Sequence, residues 1–154
     1  MTKAFSLQPL LHLAQQKNDA AARKLGLLNR NQQTAEAKLE MLQQYRKDYQ
    51  QKLQAAESSG MELQDIRNFQ DFIYRLDDAI LKQSAAVEQT KTSVEMGRSE
   101  LFETQRRMKS FDTLEQRHIE TEKKLEAKAE QRIQDEHNGR RAAYKNTGLQ
   151  EESN

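Results

Sequence analysis

Three histidines, at positions 12, 118 and 137, are the side chains of this 154-residue chain best suited to move a proton near neutral pH or to hold a metal. They form no HExxH pair, and there is no Cys to complete a zinc site, so the spacing predicts surface or seam histidines. The five Gly stand singly, at 26, 60, 97, 139 and 148, and no phosphate-cradling loop can be built from isolated glycines. Carboxylates are abundant. The two-helix rod read from the hydrophobic period below, however, offers no concave pocket that would desolvate a pair of them and shift their pKa values. The expectation is no enzyme, no cofactor and no metal.

Charge excludes another class. The chain carries 25 Lys and Arg against 24 Asp and Glu, net +1, whereas a nucleic-acid footprint requires a basic excess on one face. Residues 1–57 hold nine basic and five acidic side chains, residues 58–115 eight and eleven, and residues 116–154 eight and eight. The first two segments are complementary, which supports their pairing only weakly, since exposed ion pairs contribute about 0–1 kcal/mol each. No apolar run approaches the roughly 20 residues that span a bilayer. The reading predicts a soluble, cytoplasmic protein that binds no nucleic acid.

What remains is a group of aromatic and aliphatic residues, and the elements that position it come from the hydrophobic period. Alternating steps of three and four pick out Leu11, Ala14, Asn18, Ala21, Leu25, Leu28, Gln32, Ala35, Leu39, Leu42, Arg46, Tyr49, Leu53 and Ala56. Eleven of these are apolar, against about five for random placement, so this is a heptad seam. Ser6 is a candidate N-cap, and Pro9 falls in the first turn, where its missing N–H does no harm. The seam stops at Ser58-Ser59-Gly60. Gly60 can adopt the left-handed conformation that closes a helix, and Ser59 with Glu62 fits a capping box for the next one.

A second seam runs Ile66, Phe69, Ile73, Leu76, Ile80, Gln83, Val87, Thr90, Val94, Gly97, Leu101, Thr104, Met108 and Phe111. Gln83, Thr90, Gly97 and Thr104 should thin its packing. Two narrow stripes joined by a short loop can bury themselves only against each other, so the fold class is all-α, an antiparallel two-helix coiled-coil hairpin with a longer second helix. The expected bounds are a helix over about 6–57, a turn at 58–63, a helix over about 64–138, and a disordered tail at 141–154. Residues 1–140 would form a single domain. Past residue 115 the second helix overhangs its partner and exposes a sparse stripe of Leu125, Ala129 and Ile133, with Asn138-Gly139 as its stop.

Antiparallel pairing sets residue 42 opposite 79, 45 opposite 76 and 49 opposite 72. Leu42, Tyr45, Tyr49, Phe72, Leu76 and Ala79 then share one flank, beginning about 18 Å from the turn. Two readings fit this band. One is extra packing that stiffens the tip; the other is a docking patch, since Tyr, Phe and Leu bunched beside a polar surface are typical of partner hot spots.

The run from Ala37 to Tyr49, with Gly60, Asn68-Phe69-Gln70-Asp71-Phe72-Ile73 and Leu76-Asp77-Asp78-Ala79-Ile80, resembles the flagellar type III export protein FliJ family. Leu25-Gly26, Arg106-Arg107-Met108-Lys109 and Thr113-Leu114-Glu115-Gln116-Arg117 are similar to it as well. The resemblance covers residues 5–120. It implies a non-enzymatic stalk like the central shaft of rotary ATPases, whose base inserts into the hexameric export ATPase FliI and promotes its assembly and hydrolysis. It further implies contact with the membrane export gate FlhA, handling of export chaperones, and a place peripheral to the inner membrane at the flagellar basal body, reached through partners.

On that resemblance Leu42, Tyr45, Tyr49, Phe72, Leu76 and Ala79 match the family's gate-binding patch. Lys38 and Gln83 stand where the patch often carries Gln and His, and Phe111 stands where Trp is common. Geometry would put the ring-inserted end at the first turns around Leu7–Leu11 and the overhang around Leu114–Leu125. Two rivals share much of this pattern: the equivalent stalk of a virulence type III secretion system, and a self-associating structural coiled coil. The last predicts a parallel dimer with one helix running through residue 60, where the hairpin predicts a monomer when free.

Overall fold

A computed structural model describes residues 3–151. They form two helices and, among the described residues, no strand: α1 spans Gln8–Ser58 and α2 spans Leu63–Glu151, joined by the four residues 59–62. The fold class is the all-α helical hairpin with a longer second helix. Every residue below about a tenth exposed, including Leu11, Ala14, Ala21, Leu53, Ala56, Ile73, Leu76, Val87 and Val94, lies on one of the two heptad seams. The burial pattern is what a 3.5-residue repeat produces when each stripe finds a partner.

The helix ends are decided by backbone hydrogen bonds. At the start of α1 the Leu7 carbonyl accepts from Leu11 N–H at 3.0 Å, and Gln8 N–H donates to Phe5 O at 3.1 Å. Leu7 therefore occupies the cap position expected for Ser6, and Pro9 sits in the first turn. At the other end Met61 N–H reaches back to Ala56 O at 3.2 Å while Gly60 holds φ at 74°. This six-to-one bond with a left-handed glycine is a Schellman closure. Ser59 belongs to that closure, its hydroxyl donating to Ala56 O at 3.1 Å, so the expected capping box with Glu62 does not form. Glu62 itself caps α2, its carbonyl accepting from Asp65 and Ile66 N–H. Asp65 in the first turn suits the positive end of the helix dipole.

The far end of α2 differs from expectation. The helix passes through Asn138-Gly139 and continues to Glu151, so residues 141–151 are helical where a disordered tail is expected; residues 152–154 lie outside the described residues. Arg140, Arg141, Ala142 and Ala143 are good helix formers that offset the single Gly, and Gly139 does not adopt the positive φ a stop requires.

The chain divides into two compact units, one of residues 15–106 and one that joins Ala14 and its predecessors to Arg107 and its successors. In the first, α1 and α2 pair antiparallel around the turn. Gln83 Nε2 donates to Ala35 O at 2.9 Å, and Thr104 Oγ1 donates to Asn18 Oδ1 at 3.2 Å. Lys24 pairs with Glu100 at 3.0 Å. The small and polar seam positions are thus used rather than empty. Gly97 is buried, and a Cβ placed there would lie 2.8 Å from Leu28 Cδ1 and 3.4 Å from Leu25 Cδ1, so two leucines fill the space its missing side chain leaves.

In the second unit the segment ahead of α1 lies along α2. The Phe5 and His118 rings stand 5.7 Å apart, His118 Nε2 is 2.8 Å from Lys3 O, and Lys3 N–H donates to Glu122 Oε2 at 3.4 Å. A cavity of about 450 Å³ opens beside them, lined among others by Gln8, Ile119 and Lys123. Beyond Glu122 every residue through Gly148 is exposed, including the stripe of Leu125, Ala129 and Ile133.

Candidate docking surface

Tyr49 organises the aromatic band in the unit of residues 15–106. Its position in the seam directs the ring inward, where it lies 4.4 Å from the Phe72 ring, tilted by 45°, and 6.1 Å from the Phe69 ring. Tilted rings at these separations set the positive edge of one toward the negative face of another, worth about 0.5–1.5 kcal/mol beyond area burial. The contact also shows directly that position 49 meets position 72, the pairing the level rule requires. Lys52 Nζ, about one turn on, sits 5.0 Å from the Tyr49 centroid, a cation–π contact.

The other members differ in exposure, and the differences sort them physically. Leu76 is buried at 7%. Leu42, Tyr49 and Ala79 are half-buried. Tyr45 and Phe72 are exposed at 47% and 39%, so these two present apolar area to solvent beside a packed base. Lys38 is exposed as well. Gln83 is half-buried and spends its amide on the Ala35 carbonyl, which makes it part of the helix pairing.

Arg46, between Tyr45 and Tyr49 in heptad terms, pairs with Asp77 across the hairpin. The Asp77 carboxylate, first by its hydrogen bond and then by its charge, raises the guanidinium pKa further above its ordinary value. The pair adds a polar clamp about one helical turn from the aromatic contact, lining an open groove with Gln43, Lys47, Gln50 and Gln54. Lys52, Phe69 and this clamp are neighbours the sequence reading did not assign to the band. Phe69 was signalled by its seam position; nothing in the spacing foretold which way Lys52 would fold.

Among the described residues no group of three or more His, Asp or Glu is arranged to hold a metal ion. No described helix is long and apolar enough to cross a membrane.

A family model described as "Flagellar FliJ protein" matches residues 2–147. The flagellar FliJ protein of Escherichia coli (strain K12) is 30% identical over 145 residues, covering 94% of this chain and 99% of the relative. That of Salmonella typhi is also 30% identical over 145 residues, with the same coverage. The heptad seams, the Gly60 turn and the Tyr49–Phe72 level all fall inside the matched region, and on that agreement over nearly the whole length the chain belongs to the flagellar FliJ protein family.

Proposed function

We propose that this flagellar export protein is a non-enzymatic stalk of the export apparatus: it inserts into the FliI hexamer, promotes ring assembly and ATP hydrolysis, contacts the gate FlhA and handles export chaperones. Tyr45 and Phe72 carry the reading, two exposed aromatics on neighbouring levels of the hairpin beside the half-buried Tyr49 ring and the buried Leu76. Apolar area held rigid in this way binds a partner with little loss of side-chain entropy. The gate-binding set is Leu42, Tyr45, Tyr49, Phe72, Leu76 and Ala79, with Lys38 and Gln83 at its edge. The unit that holds Phe5, His118 and the α2 extension is the end that engages FliI. The flagellar family match favours this reading over the virulence counterpart.

The test is a titration of purified FliI with this chain, following phosphate release and ring formation together, alongside a binding assay on FlhA. Hydrolysis and ring assembly should rise together and saturate, and FlhA should bind the same preparation. An ATPase indifferent to the chain removes the stalk assignment, and an FlhA that does not bind removes the gate assignment.

A further inference from the structure

Between residues 119 and 147, on the part of the helix that α1 does not cover, α2 carries an exposed stripe. Its midpoint is Ile133, 67% exposed. Glu130 and Glu126 stand three and seven residues before Ile133, and His137 and Arg140 four and seven residues after it. Lys123 and Tyr144 follow at ten and eleven. Residues at these spacings share one face of a helix, and all of these are exposed. The charges nearest the midpoint invert across it, with acids on the N-terminal side and a histidine and an arginine on the C-terminal side. Glu122, Glu126 and Glu130 also stand at i, i+4 and i+8, where like charges repel along a lone helix. Among the described residues Glu126, Glu130 and Arg140 take part in no ion pair, so nothing within the chain relieves that repulsion.

The two ends of the stripe differ in shape as well as in charge. At one end lies the cavity of about 450 Å³ whose walls include Phe5, Ile119, Glu122, Lys123 and Glu126. At the other end the Tyr144 ring stands 80% exposed. A hole and a ring thus lie at nearly equal distances from Ile133, on opposite sides of it.

The geometry points to a docking face for a second copy of this chain, laid antiparallel with the two-fold axis at Ile133. In that register Glu126 meets Arg140 of the second copy, Glu130 meets its His137, and its Tyr144 enters the cavity beside Lys123. Symmetry makes each contact twice. On the flank, Glu122 and Glu136 fall opposite Ala143 and Ala129, so no charge faces its like. Charge complementarity selects this occupant, because a stripe whose charges invert about its own midpoint fits its own reverse. An anionic lipid or nucleic-acid surface would instead meet Glu126 and Glu130 on the same face. The interface is isologous and closes at two chains. It is also narrow, so the dissociation constant is on the order of 100 μM, and micromolar solutions hold the monomer.

Sedimentation equilibrium of the full chain, from micromolar concentration to about 1 mM, should show the mean mass rising from one chain toward two. Glu126→Arg and Arg140→Glu should each weaken the association by about tenfold or more. An equimolar mixture of the two variants should restore it, since each then supplies the charge the other lacks. Tyr144→Ala, which empties the cavity, should weaken it as well. All three replace exposed residues and should keep the far-UV spectrum. The chain has no Cys, so an introduced one reports the axis directly. On mild oxidation Ile133→Cys should form a disulfide-linked dimer faster than Gln131→Cys, which lies on the opposite side of the helix. Four results overturn the assignment: a chain still monomeric at about 1 mM, single charge variants that associate like the native chain, a mixture that stays monomeric, or cysteines at 133 and 131 that link at the same rate. The measurements use this chain alone, so their outcome is separate from the FliI and FlhA readings.

Discussion

Tyr45 and Tyr49 are one helical turn apart and answer to different forces. Tyr49 is held by Phe72, Phe69 and Lys52, whereas Tyr45 leaves 47% of its surface in water. Removing the Tyr49 ring should therefore cost the hairpin about 2 kcal/mol of stability, the lower end for a large side chain that is only half-buried. Tyr49→Phe, which keeps the ring, should change stability by less than about 0.5 kcal/mol. Tyr45→Ala should leave the urea midpoint nearly unmoved and weaken FlhA binding by about 2 kcal/mol, as for an interface hot spot. Circular dichroism melts beside an FlhA binding isotherm separate the two, and a Tyr45→Ala chain as unstable as Tyr49→Ala would show the band to be packing alone. The inner and outer roles were legible in heptad position, which places 49 in the seam and 45 beside it. The cation over Tyr49 and the amide of Gln83 on Ala35 were not, because long side chains choose among rotamers that residue spacing does not constrain.

Glycine shows why helix ends are legible in some places and not in others. Gly60 and Gly139 both follow a polar residue in a helical run, yet only Gly60 takes a positive φ. A lone Gly weakens a helix by about 1 kcal/mol, which is too little to end it unless the returning chain has something to pack against. After Gly60 the chain regains a seam, with Leu53 and Ala56 buried on one side and Ile73 and Leu76 on the other. Around Gly139 all residues from 123 to 148 are exposed, and a turn there would bury nothing. The same substitution should then have opposite signs at two open sites. Gly60→Ala places a side chain in the left-handed region and should destabilise by about 1 kcal/mol, with Gly60→Asn less harmful. Gly26→Ala, in mid-helix with nothing within 4 Å, should stabilise by about 1 kcal/mol. Urea titrations of the variants decide it; a stabilising Gly60→Ala would mean the turn does not use the φ of 74°.

For the molecule as a whole the question is where each apolar stripe finds its partner. A chain with 35% hydrophobic residues has none to spare, and a 51-residue helix carrying a single seam is stable only when that seam is covered. In residues 15–106 the cover comes from within: Leu25 and Leu28 close on Gly97, Tyr49 on Phe72, Gln83 on the Ala35 carbonyl. Intrachain pairing makes folding unimolecular, so stability should not depend on concentration, while a coiled coil paired between chains melts lower on dilution by mass action. Sedimentation equilibrium at micromolar concentration should accordingly return a single species of 17.9 kDa. The melting temperature should hold constant over about a hundredfold dilution. A mass of twice that value, with a midpoint that falls on dilution, would assign the seams to a partner chain and turn Gly60 into an interruption of one long helix. Composition alone allows either outcome. What favours the monomer is the Schellman bond from Met61 to Ala56, because it commits the backbone to reverse direction before any second chain can be met.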